Sequence, residues 1–398
     1  MKVAFLTNII SPYRLPVFER LAATPGWQFR VIVNAASEFD RAWQFQAKSL
    51  DWVPTRSVPI RRKVLSREPI AFEQIITLHL PIGLWPDLRR FRPDVVISHE
   101  LGPRSMIAAA YCAAHRAPLV IWAYQSRVSA TQGQRRRLVR RWLLRRAAVA
   151  VGMGTQAREV LRHWGKADHL IVDAPNSADH ETLLGRFNDP QTPGRADQIR
   201  SRWPDCRRIA LVVGRLVPLK GTDAILRTWQ ALPAPLRKQW RLVFVGEGPL
   251  ACLIDEANDP SIDRIGHVAS EEMVDWYAAS DLHIFPTLGD VWGLVVHEAM
   301  MCGLPTLCSI HAGCSDDMIR DAENGLLFDP TDQSGAVATL RAALVRTDLP
   351  ALGSAAKKTA ARFTLDGLAE GFRRAVHMAV PSSIEIGSRN APTGKQVA

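Results

Sequence analysis

Phe285-Pro286-Thr287-Leu288-Gly289-Asp290-Val291-Trp292-Gly293-Leu294-Val295-Val296-His297-Glu298-Ala299-Met300-Met301-Cys302-Gly303-Leu304-Pro305 reads as strand, loop and helix in immediate succession. The strand closes at Pro286, the loop carries Asp290, and a helix is predicted to start near Trp292 and stop at Gly303. Glu298 then lies about two turns below the loop, on a face that Val295, Ala299 and Met301 bury. A carboxylate in that setting is costly unless a partner such as a pair of hydroxyls receives it. Asp290 also has a simpler use, as a turn or N-cap residue before a helix.

Working outward, the same strand–loop–helix unit repeats. A strand predicted over Arg208–Val213 runs into Gly214-Arg215-Leu216-Val217-Pro218-Leu219-Lys220-Gly221, with a helix from about Thr222. Two cations at a strand end, beside a helix N-terminus whose open N–H groups favour anions, can form a diphosphate site; the other reading is a solvated loop with two ordinary surface cations. The next strand, Trp240–Val245, ends in Gly246-Glu247-Gly248-Pro249, where glycines allow close backbone approach. Strands are further predicted over Asp263–Val268, Asp281–Pro286 and Pro305–Ser309. In the first half they fall at Val3–Thr7, Phe29–Val33, Asp94–Ser98, Leu119–Ala123, Ala148–Gly152 and Leu170–Asp173. Short β-branched runs alternating with longer amphipathic ones describe an α/β fold: two tandem Rossmann-like doubly wound domains facing a cleft. The boundaries drawn are an N-terminal domain 1–187, a turn-rich linker 188–206, a C-terminal domain 207–380 whose last helix packs back on the first, and a disordered tail 381–398.

The chain has 398 residues, too many for one ordinary core, and its 47% hydrophobic content excludes a mostly disordered protein. Its charge is uneven. Residues 1–200 hold 30 Lys and Arg against 16 Asp and Glu, or +14; the remaining 20 against 23 give −3, which together make the +11 of the whole. The excess base therefore belongs to the first half. Six cysteines form no CxxC pair, so reduced thiols and a cytoplasmic setting are expected, with no metal ligand set. Met1–Asn8 lacks a long apolar region and reads as a first strand, and no run reaches the ~18 apolar residues that span a bilayer.

The second half resembles the donor domain of the retaining glycosyltransferases of family four, which have the GT-B architecture. The resemblance rests on Gly214-Arg215 with Lys220-Gly221, on Val245-Gly246-Glu247-Gly248-Pro249, and on Asp290 to Glu298 with seven residues between. Trp292-Gly293-Leu294, Glu298-Ala299-Met300, Cys302-Gly303-Leu304-Pro305 and Asn324-Gly325-Leu326-Leu327 complete it. It implies that Arg215 and Lys220 hold the donor diphosphate, that Glu298 binds ribose hydroxyls, and that Val291, Trp292, Gly293 and Leu294 offer amides to the donor, with Gly246 and Glu247 nearby. It also places Asp290 at the first acidic position, as a catalytic-site residue; the family usually has Glu there, and Asp is shorter by about 1.5 Å of reach. By the same resemblance His99, in Ser98-His99-Glu100, contacts the donor sugar as a catalytic-site residue, and Asn176 matches the Pro-Asn before the domain crossing.

Arg14, in Ser11-Pro12-Tyr13-Arg14, stands where relatives have glycines and is expected to supply positive charge. The run Arg135–Arg146 forms a helix with Leu138, Val139, Trp142 and Leu143 on one side and Arg137, Arg140, Arg141 and Arg145 opposite, a face for an anionic acceptor or membrane surface. The combined expectation is a retaining transferase working in cell-surface polysaccharide or glycolipid synthesis. It would move sugar from a nucleoside diphosphate to a glycan or lipid-linked acceptor, with no cofactor and no nucleic acid. Two other classes compete: a nucleotide-sugar epimerase of the same fold, and a non-catalytic basic protein that binds membrane or nucleic acid.

Overall fold

The computed structural model describes residues 1–35, 49–66, 72–130 and 134–380. The tail drawn over 381–398 lies outside the described residues. Two parallel sheets organise the chain. In the first, the strand order is Trp52–Pro54, Gln28–Val33, Lys2–Thr7, Val95–His99, Leu119–Ala123, Val149–Gly152 and Ile171–Asp173. In the second it is Ile262–Arg264, Trp240–Val245, Arg208–Val213, Leu282–Phe285, Thr306–Ser309 and Gly325–Phe328. Helices cover both faces of each sheet, so central strands are buried throughout: every residue of Val95–His99, Leu119–Ala123 and Thr306–Ser309 is inside.

The sequence expectation places most strands within one or two residues. It extends Asp263–Val268 beyond the observed Ile262–Arg264, and it lacks the edge strands Trp52–Pro54 and Gly325–Phe328. It also lacks an antiparallel ribbon, Val58–Ser66 with Phe72–Leu80, paired from Val58 opposite Leu80 to Ser66 opposite Phe72. The segment drawn as a linker contains a helix, Thr192–Arg200. Its Ala196 and Ile199 join Trp203 in a core with Trp276 and Tyr277 of the helix Met273–Ala279, so it is a packed element of the C-terminal unit.

The closing helix, Leu365–Ala379, returns to the first sheet. Phe372 meets Phe5 at 5.5 Å and Trp122 at 5.1 Å between ring centroids, and Gly371 lies against Ala174. The chain thus crosses between the sheets twice, near residues 174–180 and 360–365. His297 ties both crossings: its Nδ1 accepts from Ala178 N at 3.1 Å, and its Nε2 lies 3.1 Å from Ala360 O. Because Nδ1 accepts a backbone N–H, the proton sits on Nε2 and is donated to Ala360.

Candidate active site

In each sheet the strand order reverses between two neighbours, and an open parallel sheet binds ligands above that point. The reversal falls between Lys2–Thr7 and Val95–His99 in the first sheet, and between Arg208–Val213 and Leu282–Phe285 in the second. The loops carrying Arg14, His99, Arg215 to Lys220 and Asp290 all leave those four strands at their carboxyl ends.

On the second sheet these loops interlock through backbone bonds. Leu216 N donates to Glu247 O at 2.8 Å, Leu250 N to Leu216 O at 3.0 Å, and Leu288 N to Leu219 O at 2.9 Å. Two glycines make this approach possible. At Gly221 (φ 69°) a Cβ would stand 1.9 Å from Pro286 O, and at Gly246 (φ 145°) it would stand 1.9 Å from Gly214 O. Any larger residue would push the loops apart. Glu247 and Arg215 are exposed at the rim.

Asp290 is fixed by backbone and side chain. Its N–H donates to His311 O at 3.3 Å, its carbonyl accepts from Gly313 N at 3.0 Å, and its Oδ1 accepts from Trp292 N at 3.3 Å. Its Oδ2 is held by Lys220 Nζ in an ion pair, with the two side chains 15% and 25% exposed. Lys220, expected on a diphosphate, therefore rests on the carboxylate in the ligand-free structure, its ammonium 5.6 Å from the Phe285 ring centre. The following helix begins at Leu294, two residues later than predicted, because Gly293 takes φ 113°. Of its first amides, Val296 N donates to Gly293 O at 3.0 Å.

Glu298 sits one turn into that helix, partly buried, with Oε2 accepting from Tyr277 Oη at 2.8 Å. Burial pushes its carboxyl up to about 7 against the opposing pull of the Tyr277 hydroxyl. Burial and the neighbouring Glu298 raise the Tyr277 phenol well above its usual range, so it stays a donor. Tyr277 escapes sequence reasoning because nothing in a mid-helix tyrosine marks a partner 21 residues away.

The first sheet supplies the facing half. His99 is 2% exposed and packs 4.6 Å from Trp122 and 5.2 Å from Tyr124 between ring centroids. Burial first, then the charges of Arg14 and Arg104, hold its imidazole well below the usual histidine range, so it is neutral. Arg14, expected as part of a charged acceptor surface, is instead 7% exposed. Its terminal nitrogens span the imidazole, Nη1 at 3.5 Å from Nδ1 and Nη2 at 3.5 Å from Nε2. The rings of Trp122 and Tyr124, each 5.1 Å from its guanidinium carbon, flank it. Burial pushes the Tyr124 phenol up to about 12, Arg14 pulls the other way, and the Asp290 carboxylate of the facing domain adds to the rise. Tyr124 was not singled out in the sequence, yet it follows the strand Leu119–Ala123 directly, where the switch-point rule looks for ligand contacts.

Residues 195–359 match the family model of glycosyl transferases group 1. Over that segment, about two-fifths of the chain, the sequence is similar to group 1 glycosyl transferases. Among curated relatives, the D-inositol 3-phosphate glycosyltransferase of Thermobispora bispora is 33% identical over 211 residues, 48% of this chain and 49% of that protein. The sulfoquinovosyl transferase of Arabidopsis thaliana is 25% identical over 325 residues, 74% of this chain and 59% of that protein. The chain thus spans about half the length of the curated relatives it matches. Among solved structures, Anabaena HepE in complex with UDP superposes with a TM-score of 0.72 at 15% identity, covering 95% of this chain and 100% of that one. The sucrose-phosphate synthase of Thermosynechococcus elongatus follows with 0.71 at 16%, covering 95% and 98%. The fold of the whole chain is therefore GT-B.

Around this candidate site, the domains are clasped behind the Asp290 loop. Asp317 accepts from Thr155 N at 2.9 Å and Thr155 Oγ1 at 2.8 Å, capping from the other domain a helix, Thr155–His163, whose own N-cap is Gly154. Gln156 Nε2 donates to Ala312 O at 3.0 Å, and Arg127 pairs with both Glu159 and Asp316.

The basic helix, Gln134–Arg146, differs from expectation in its faces. Leu143 and Leu144 are buried, while Leu138, Val139 and Trp142 are 67%, 39% and 41% exposed beside the exposed Arg137 and Arg145. Arg140 leaves the solvated face and lies 4.8 Å over the Trp164 ring, while Arg141 is half-buried. Among the described residues, no group of His, Cys, Asp and Glu is arranged to hold a metal ion, and no helix is long and apolar enough to cross a membrane.

Proposed function

We propose that the protein is a retaining glycosyltransferase that moves a sugar from a nucleoside-diphosphate sugar to a hydroxyl of a glycan or lipid-linked glycan, in cell-surface polysaccharide or glycolipid synthesis. The observation that carries this reading is the ion pair of Lys220 with Asp290 at the switch point of the second sheet, in the segment that matches the family model and that also holds Arg215 and Glu298. Glu298 receives the ribose hydroxyls, for which its second oxygen serves while Tyr277 holds Oε2. Arg215 and Lys220 take up the charge that develops on the departing diphosphate, so protein cations stabilise the leaving group. Neutral His99, its orientation fixed by Arg14, Trp122 and Tyr124, stands on the opposite wall toward the sugar, with Arg14 against both of its ring nitrogens in the ligand-free structure. The bound pair of substrates is held between two half-sites, and the rate gain comes from that orientation. UDP and UDP-glucose occupy the structural neighbour HepE, which makes UDP-glucose the first donor to try. Incubation with UDP-, GDP- and ADP-sugars and extracted lipid-linked glycans should release nucleoside diphosphate only when an acceptor is present, with the anomeric configuration kept. Release of an altered, free nucleotide sugar instead would favour the epimerase.

A second element of the reading concerns place. The exposed Leu138, Val139 and Trp142 among arginines fit a helix that rests on an anionic membrane at the cytoplasmic side, near a lipid-linked acceptor. Co-sedimentation with phosphatidylglycerol vesicles, weakened by Trp142→Ser and by salt, is the expected result. Equal binding to phosphatidylcholine vesicles, or none to either, would remove this part.

A further inference from the structure

We propose that Lys220 and Asp290 form a donor-operated exchange: the arriving diphosphate takes the Lys220 ammonium and so releases the Asp290 carboxylate to accept a hydroxyl of the donor's sugar. The inference rests on the donor reading above and goes beyond it by giving the ligand-free site a defined resting state.

The geometry restricts what Asp290 can do before a donor binds. Oδ1 is committed to the Trp292 amide, and the backbone on both sides is pinned to His311 and Gly313. Oδ2 is the oxygen left for a ligand, and Lys220 Nζ occupies it. The carboxylate cannot swing away from the ammonium, since its loop is fixed. The lysine can leave: the backbone at Gly221 is locked against Pro286, whereas Nζ ends a chain of four methylenes, in a side chain that is one-quarter exposed. The mobile partner is therefore the cation. A diphosphate presents more negative charge and more acceptor oxygens than one carboxylate, so it competes for the ammonium from the same side of the crevice. Once Nζ has moved, Oδ2 is a largely buried carboxylate oxygen without its cation, a state that a sugar hydroxyl relieves. The short reach of Asp then matters less: the residue is kept preset at the loop, and the donor uncovers it.

The exchange makes a prediction opposite to that for an ordinary binding residue. Removing the carboxylate should strengthen binding of a nucleoside diphosphate that lacks a sugar, because Lys220 no longer has to be detached. In titration calorimetry on the full chain with UDP, and GDP in parallel, Asp290→Asn should bind the diphosphate about tenfold more tightly than wild type. Asn keeps an oxygen for the Trp292 amide; Asp290→Ser provides a second variant should the first be poorly folded. Lys220→Ala should bind more weakly, and the double variant Lys220→Ala/Asp290→Asn should equal Lys220→Ala. With UDP-glucose the tightening in Asp290→Asn should shrink, and turnover should fall. Unchanged or weaker UDP binding in Asp290→Asn would overturn the exchange. So would tightening that persists without Lys220, since that would be mere removal of a negative charge. If wild type binds neither diphosphate, the donor reading itself fails, and the exchange with it.

Discussion

His297 offers a severe test of how the two domains are joined, since one imidazole serves both chain crossings. In His297→Ala the buried Ala178 N–H and Ala360 C=O each lose their partner, at about 1–3 kcal/mol per orphaned group. The space vacated by the ring adds to this, so a loss of about 3–5 kcal/mol is expected. A pH argument gives an independent figure. Burial, the largest cause, lowers the imidazole from 6.5 to about 4, against the raising effect of its bond to Ala360. The unfolded chain therefore binds the extra proton first. Stability from this residue is present above about 6.5 and is lost as the pH falls through about 4, and that interval corresponds to about 3 kcal/mol. Scanning calorimetry between pH 4.5 and 8 should show His297→Ala melting lower than wild type, with the gap between the two narrowing as the pH falls. A loss under about 1 kcal/mol with an unchanged pH slope would refute the pin.

Further outcomes follow from other contacts. Glu298 is raised from 4.5 to about 7 by burial, so its neutral form suits the fold; measured against Glu298→Gln, wild-type stability should decline as pH rises from about 4.5 through 7. Ribose hydroxyls prefer the carboxylate, so donor affinity in calorimetry should rise through about pH 7 in wild type and be weak and flat in Glu298→Gln. Asp317→Ala removes the cap that the C-terminal domain lends to Thr155, at about 1 kcal/mol, and should enlarge the radius of gyration in X-ray scattering as the clasp opens. Lys166 Nζ, buried, donates to the carbonyls of Ala147 at 2.6 Å and Ala148 at 3.1 Å; Lys166→Met should lower the melting midpoint by several degrees.

How much of this was legible in the sequence depended on how local each signal is. The strand ends and the loops at Gly214 and Asp290 were readable because β-branched runs broken by glycine and proline sit within a few residues of one another. The ion pair of Lys220 with Asp290 was not, since a lysine and an aspartate 70 residues apart in sequence carry no mark of contact. His297 and Tyr277 were missed for the same reason. The basic helix was misread through its own pattern: apolar residues at 138, 139, 142, 143 and 144 cover more than half of a helical wheel, and only the docking of Leu143 and Leu144 decides which part is inward. The helix Thr192–Arg200 escaped because its buried side, Ala196 and Ile199, is too small to show a period.

The central claim is a nucleotide-sugar site at the switch point of the second sheet, and one measurement reaches it most directly: release of nucleoside diphosphate from a panel of nucleotide sugars by wild type, Arg215→Ala and Glu298→Gln. Wild type should turn over at least one donor in the presence of an acceptor, with both variants reduced about a hundredfold or more in kcat/KM. Turnover by either variant at the wild-type rate would contradict the account.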